Sequence, residues 1–190
     1  MVMKRDEVKV NLEFTPNPDS LKYVLNRNIL VKGSKNYTNA ESAKNESALA
    51  TALFEIENVS GIMLGTNFVT VTISNQDHLS QTNEILLSSI KDFFESDQLA
   101  IEPSATQVSS NFRSLSDIEK KIIKILDEEV RPAVAMDGGD ITFEKFEDGI
   151  VFLKMQGACS GCPSSLMTLK MGVETRLKEA VPEILEVIPV

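Results

Sequence analysis

Between Asp97 and Ser114 the sequence loses its hydrophobic pattern. The run Glu-Pro-Ser-Ala-Thr-Gln-Val-Ser-Ser-Asn, residues 102–111, is polar, short in side chain and aperiodic, the character of an interdomain linker. This break most restricts the fold, because it leaves two stretches of under about a hundred residues on either side, near the lower range for an independent core. The expected organisation is a first domain over 1–98, a flexible linker over 99–114 and a second domain over 115–190. Both halves contain strands and helices, so the expected class is α+β, with two small α/β-sandwich-like domains.

In the first half, Val8, Val10, Leu12 and Phe14 alternate with polar residues, the period of a half-buried strand. Thr15-Pro16-Asn17-Pro18-Asp19 interrupts it, and Asp19 or Ser20 is placed to cap a short helix carrying Leu21, Val24 and Leu25. Ile29-Leu30-Val31 suggests a strand ending near Gly33, and residues 34–47 read as a loop. A helix over 47–57 puts Leu49, Ala52, Leu53 and Ile56 on one face. Strands over 59–64 and 68–74 flank Gly65-Thr66-Asn67, a hairpin turn, and a helix over 78–95 buries Leu79, Ile85, Leu86, Ile90, Phe93 and Phe94.

The second half opens with Ser116 and Glu119, the spacing of a capping box, ahead of an apolar face of Ile118, Ile122, Ile125, Leu126 and Val130. Asp137-Gly138-Gly139-Asp140 is a tight turn, in which the acids serve as local caps rather than metal ligands. Strands over 141–146 and 150–155 are joined by the hairpin signal Glu147-Asp148-Gly149. A helix follows from Pro163, with Leu166, Leu169, Val173 and Leu177 at helical spacing, and residues 184–190 return as a strand on the hairpin.

Cys159 and Cys162 are the chain's only cysteines, and they stand together in Gly157-Ala158-Cys159-Ser160-Gly161-Cys162-Pro163. Between the end of a strand and the first turn of a helix, unpaired N–H groups favour thiolates, which serve metal ligation and thiol-disulfide exchange alike. A thioredoxin-type dithiol would follow a βαβ element with an aromatic before the first cysteine. Here the pair follows a hairpin, Gly157-Ala158 precede it and the chain has no Trp. A metal centre wants four ligands as a rule. His78, the single histidine, lies in the other half and is a solvated surface residue rather than a ligand. The economical source of the missing ligands is a second copy of the chain, since two CxxC turns about a two-fold axis supply four thiolates. Two other readings stay open, a thiol oxidoreductase and a zinc module shared by two chains.

Met155, Met167 and Met171 read as core filler, and Lys170 and Arg176 as solvated helix-surface residues. A net charge of -9, with acids in excess in both halves, argues against nucleic acid as a partner. No run approaches the roughly 18 apolar residues of a membrane span. The reading is a cytosolic protein, or a mature organellar form whose presequence has been removed. No phosphate-binding Gly loop, Ser/His/Asp set or paired catalytic carboxylates stand out, which argues against an enzyme.

From about Ile118 onward, Asp137-Gly138-Gly139-Asp140, then Phe146-Glu147-Asp148-Gly149-Ile150-Val151, then the CxxC with Pro163-Ser164-Ser165 and Thr168-Leu169-Lys170, resemble the NifU C-terminal, or Nfu, iron-sulfur scaffold domain. The first half resembles the Nfu N-terminal domain through Thr15-Pro16-Asn17-Pro18, Leu21-Lys22-Tyr23, Ser47-Ala48-Leu49-Ala50, Leu53-Phe54 and Gly65 before Phe68-Val69-Thr70-Val71. Ser160 stands where many relatives have Thr, and Met63-Leu64-Gly65-Thr66-Asn67 replaces a more aromatic and acidic turn. The resemblance implies a [4Fe-4S] cluster held between two protomers by Cys159 and Cys162 of each and passed to apo-proteins. It also implies an upstream scaffold that loads the cluster, an N-terminal domain that engages clients, and a bacterial cytoplasm or a mitochondrial matrix as the compartment.

Overall fold

The computed structural model describes residues 7–77, 79–96, 98–101, 115–160 and 163–190, over 163–169 the backbone alone. The chain divides into two compact units. The expected linker lies mostly outside the described residues, as do His78, Gly161 and Cys162.

Among the described residues the first unit is a five-stranded antiparallel sheet with three helices. Its strands are β1 (Val10–Phe14), β2 (Ser20–Leu25), β3 (Lys35–Tyr37), β4 (Val59–Leu64) and β5 (Phe68–Ile73), in the order β1-β2-β5-β4-β3. The helices are α1 (Ala40–Ala43), α2 (Ala48–Phe54) and α3 (Leu79–Glu95). Leu21, Tyr23 and Leu25 on β2, Ile62 and Leu64 on β4, and Val69, Val71 and Ile73 on β5 share one face by the strand period of two. They form one core with Leu49 and Leu53 of α2 and Leu86, Ile90, Phe93 and Phe94 of α3. Each such fully buried aliphatic side chain contributes about 1.5–3 kcal/mol.

Four expectations for this half are corrected. Residues 20–25 form a strand, not a capped helix, because the alternation Leu21, Tyr23, Leu25 is used in ladders with β1 on one side and β5 on the other. Two ladders outweigh the marginal helix propensity of six residues. Residues 29–31 form no strand; Ile29 and Leu30 instead donate backbone N–H bonds to the Thr66 carbonyl. Residues 34–47 hold β3 and α1, with the Asn39 side chain capping α1 by accepting from the Ser42 N–H at 2.9 Å. On α3, Ile85 is exposed although Leu86 and Ile90 are buried. The hairpin at Gly65 forms as expected, and a Cβ there would lie 2.3 Å from the Phe68 ring, so a side chain at 65 would require that ring to move.

The second unit runs α4 (Asp117–Ile125), a π-helical turn (Leu126–Val130), α5 (Arg131–Met136), β6 (Gly139–Glu147), β7 (Ile150–Gly157), α6 (Pro163–Ala180) and β8 (Glu186–Pro189). The Ser116–Glu119 capping box is present in both directions. In the π turn the Arg131 N–H reaches back five residues to the Leu126 carbonyl. Pro132, which has no N–H and whose ring conflicts with the carbonyl four residues earlier in a regular helix, accounts for the wider turn. β6 and β7 are antiparallel, and Asp148 and Gly149 at their hairpin both have positive φ, 51° and 80°, as a type I′ turn requires. β8 adds to β7 in parallel through the crossover helix α6. Ile122, Leu126, Ile141, Val151, Leu153, Leu177 and Val187 make the core.

Candidate functional site

The site is built where β6 begins and β7 ends. Gly139 is paired with Gly157 across the two strands, and beyond that pair the chain turns out of β7 toward α6. Gly157 (φ 61°) starts the turn. The Cys159 N–H then donates to the Gln156 carbonyl at 3.3 Å and the Ser160 N–H to the Gly157 carbonyl at 3.0 Å. The Ser160 hydroxyl donates to that same carbonyl at 2.8 Å. From the opposite side the Ala158 N–H donates to the Gly138 carbonyl at 3.1 Å, so the turn is tied to the Asp-Gly-Gly-Asp segment as well as to itself.

Cys159 sits directly against the backbone of that segment. A Cβ on Gly139 would lie 3.1 Å from the Cys159 Cβ and 2.1 Å from its sulfur, the latter closer than real contacts come, so the thiol occupies the space a side chain at 139 would need. Gly138, with φ at 77°, supplies the bend before it. Cys159 is 6% exposed and belongs to the same apolar cluster as Ile122 and Val134.

This corrects the expectation of a thiolate favoured by the helix start. Burial pushes the Cys159 thiol up to about 12, and the negative charges of Asp137 and Asp140 push in the same direction. The physical reason is position: α6 begins at Pro163, four residues on, and Cys159 faces the core side of the turn. Cys162 lies outside the described residues, so the structure places one of the two expected ligands.

The two acids of the turn are not equivalent. Asp140 is buried, and its carboxylate takes a two-armed pair from Arg131, Nε to Oδ1 at 2.8 Å and Nη2 to Oδ2 at 2.7 Å. Its Oδ1 also accepts from the Ile141 N–H at 2.8 Å. Arg131 extends a further arm to Asp127 Oδ1 at 2.7 Å, across the π turn. These bonds, chiefly the one to Asp140, raise the guanidinium pKa further. An ion-paired carboxylate of this kind agrees with leaving Asp140 out of the ligand set.

Lys170 and Arg176 lie at the helix surface as expected, each with acidic partners there. Lys170 pairs with Glu186 at 3.0 Å, and Arg176 makes a two-armed contact with Glu129 and another with Glu179, so both are ion-paired. The Arg176 hydrogen bond holds the Glu129 carboxyl below the usual carboxylate range. Met155 packs on the core as expected, whereas Met171 is exposed, and the Met167 side chain is not described. Arg131 and Gly139 were missed from the sequence as site residues. The signal for Gly139 was present in the doubled glycine; that for Arg131 was not, because nothing in sequence ties it to a carboxylate nine residues on.

Comparison with known proteins gives the class. A family model described as the NifU-like domain matches residues 122–188, and one described as the N-terminal domain of scaffold protein Nfu/NifU matches residues 10–97. The chain is 37% identical over 185 residues to a protein of Drosophila erecta named as a mitochondrial NFU1 iron-sulfur cluster scaffold homologue, covering 96% of this chain and 65% of that one. The protein of the same name from Drosophila persimilis is 36% identical over 176 residues, covering 92% and 62%. The chain therefore spans about two thirds or less of the length of these relatives. Among solved structures, a yeast NifU-like protein overlays with a TM-score of 0.47 at 20% identity, over 54% of this chain and 91% of that one. That likeness is too loose to argue from. On the two family matches and the relatives, the chain belongs to the Nfu family, with an Nfu N-terminal domain followed by a NifU-like domain.

Proposed function

We propose that the protein is an iron-sulfur cluster carrier. Cys159 and Cys162 of two protomers hold one [4Fe-4S] cluster, and the cluster passes to apo-proteins by stepwise exchange of these thiolates for those of the client. The observation that carries the reading is the seat of Cys159: a lone thiol set against glycine backbone, on a tied turn, in a chain with a single further cysteine three residues on. A soft thiolate donor set suits iron-sulfur chemistry, and two such pairs complete four ligands. The cluster is cargo, loaded by an upstream scaffold, and the chain is a carrier rather than an enzyme. The first unit serves client engagement. The compartment is the mitochondrial matrix, in keeping with relatives named as mitochondrial, or a bacterial cytoplasm.

A thiol oxidoreductase is less supported, since the cysteine turn follows the β6–β7 hairpin rather than a βαβ element and Gly157-Ala158, not an aromatic, precede Cys159. The test is cluster transfer from the loaded protein to an apo-ferredoxin, followed by the client's spectrum. Cys159→Ser and Cys162→Ser proteins are expected to fold and to transfer nothing; a variant that transferred at the parent rate would remove that cysteine from the ligand set.

A further inference from the structure

We infer that Arg131 is a positioning residue for Cys159, acting through Asp140 and Gly139. The chain of contacts is short and continuous. Arg131 holds the Asp140 carboxylate with two parallel bonds, and the same carboxylate caps the Ile141 N–H, so the first residues of β6 are fixed on both sides. Gly139, the neighbour of Asp140, is the residue whose backbone lies against the Cys159 sulfur. Gly138, one residue earlier, accepts the Ala158 N–H of the cysteine turn.

The clamp has an anchor of its own. Asp127 fixes the far side of the guanidinium from the π turn, where Arg131 itself supplies the N–H that closes the wide turn on Leu126. The arginine is therefore held by main chain and side chain together, and Asp140 is held by the arginine. Lys cannot replace this fork, because an ammonium is a point donor and cannot bind Asp140 in two parallel bonds while reaching Asp127. Arg131 acts on Cys159 through these residues: it sets where the seat of Cys159 lies, and so how far the thiol is shielded before the cargo arrives.

The functional meaning rests on Cys159 being a cluster ligand, but the positioning itself is read without a cluster. In full-length Cys162→Ser protein Cys159 is the sole thiol, and its alkylation by iodoacetamide is timed at neutral pH, with circular dichroism confirming the folded state. Arg131→Lys and Asp127→Asn, which keep the Asp137 and Asp140 carboxylates beside the thiol, are expected to speed alkylation by about tenfold, as the loss of an arm of the charge-assisted clamp opens the seat locally. Arg176→Gln, which removes an exposed ion pair of α6 in the same unit, is expected to leave the rate alone. Parent-like rates in both clamp variants would overturn the inference, and so would an equal rise in Arg176→Gln, which would mark general loosening. Reconstitution of the two-cysteine proteins separates the two claims. A parent that takes up no cluster, with the alkylation difference intact, would sink the carrier reading and leave the clamp standing. A loaded parent with no alkylation difference would do the reverse.

Discussion

The two units bury polar groups for different ends. In the first, they finish secondary structure: Ser47 caps α2 by accepting from the Ala50 N–H at 3.0 Å, and Tyr23 donates its hydroxyl to Asn83 Oδ1 at 2.8 Å. The Ser47 hydroxyl also donates to the Ala100 carbonyl at 2.5 Å, so these bonds tie a helix start and a strand to neighbouring segments of the unit. In the second, Arg131, Asp140 and Cys159 gather at one end of a three-stranded sheet, on a segment with two adjacent glycines. Concentrating charge, thiol and bare backbone in one place costs packing area in a small core, and a small domain has little to spare. The first unit has the marks of a scaffold built for stability, and the second of a core arranged around one turn.

Substitutions should divide along that line, and the largest contrast is between Cys159 and Leu53. Cys159→Ser is expected to leave the reconstituted protein without iron while thermal unfolding stays near the parent. Leu53→Ala, in the fully buried core of the first unit, is expected to lose about 2–5 kcal/mol of stability with iron content per dimer unchanged. Iron loss on Leu53→Ala at a temperature where the protein is folded would show that the division does not hold.

A finer contrast uses two glycines of the second unit. Gly139→Ala drives a Cβ to 2.1 Å from the Cys159 sulfur and is expected to cost about 1–3 kcal/mol by overpacking and to reduce cluster uptake. Gly172→Ala on α6 meets nothing within 4 Å and is expected to stabilise by about 0.4–1 kcal/mol without changing uptake. Denaturant melts with iron assays on the same samples check both.

The smallest effect is in alkali. In the folded state Cys159 is pushed from 9.0 to about 12, mainly by burial, and Tyr37 of the first unit from 10.0 to about 12, by burial and then by Glu46. Both keep their protons when folded and lose them sooner when unfolded. Their stabilising share is whole below the unfolded values and declines as pH climbs from about 9 toward about 12. Unfolding of the metal-free protein should therefore become easier across that window. Cys159→Ala should flatten the fall for the second unit, and Tyr37→Phe for the first. An alkaline fall unchanged by both substitutions would count against these burials as its source.

Much of the second unit could be read in advance because its signals are local. Ser116 and Glu119 cap within one turn, Asp148-Gly149 select one hairpin type, and Pro163 opens α6. The first unit was read less well where long-range pairing decided the outcome. Residues 20–25 carry a pattern that fits a helix turn and a strand alike, and β1 and β5 settle it through partners 7 (Phe14 and Leu21) to 52 (Ser20 and Thr72) residues away. The site divided in the same manner. A CxxC is visible as a motif, and Cys159 falls at the turn it implies. Its burial, its shift away from the thiolate and its dependence on Arg131 come from packing against β6, which no local window contains.

The most direct test of the account is anaerobic reconstitution of the full chain with iron and sulfide, with iron, sulfide, visible absorption and molecular mass determined on one sample. The expected product is a coloured dimer carrying about four irons and four sulfides, bridged by the two cysteine pairs. A monomer that takes up no iron and cycles between dithiol and disulfide, or a dimer holding about one zinc, would contradict it.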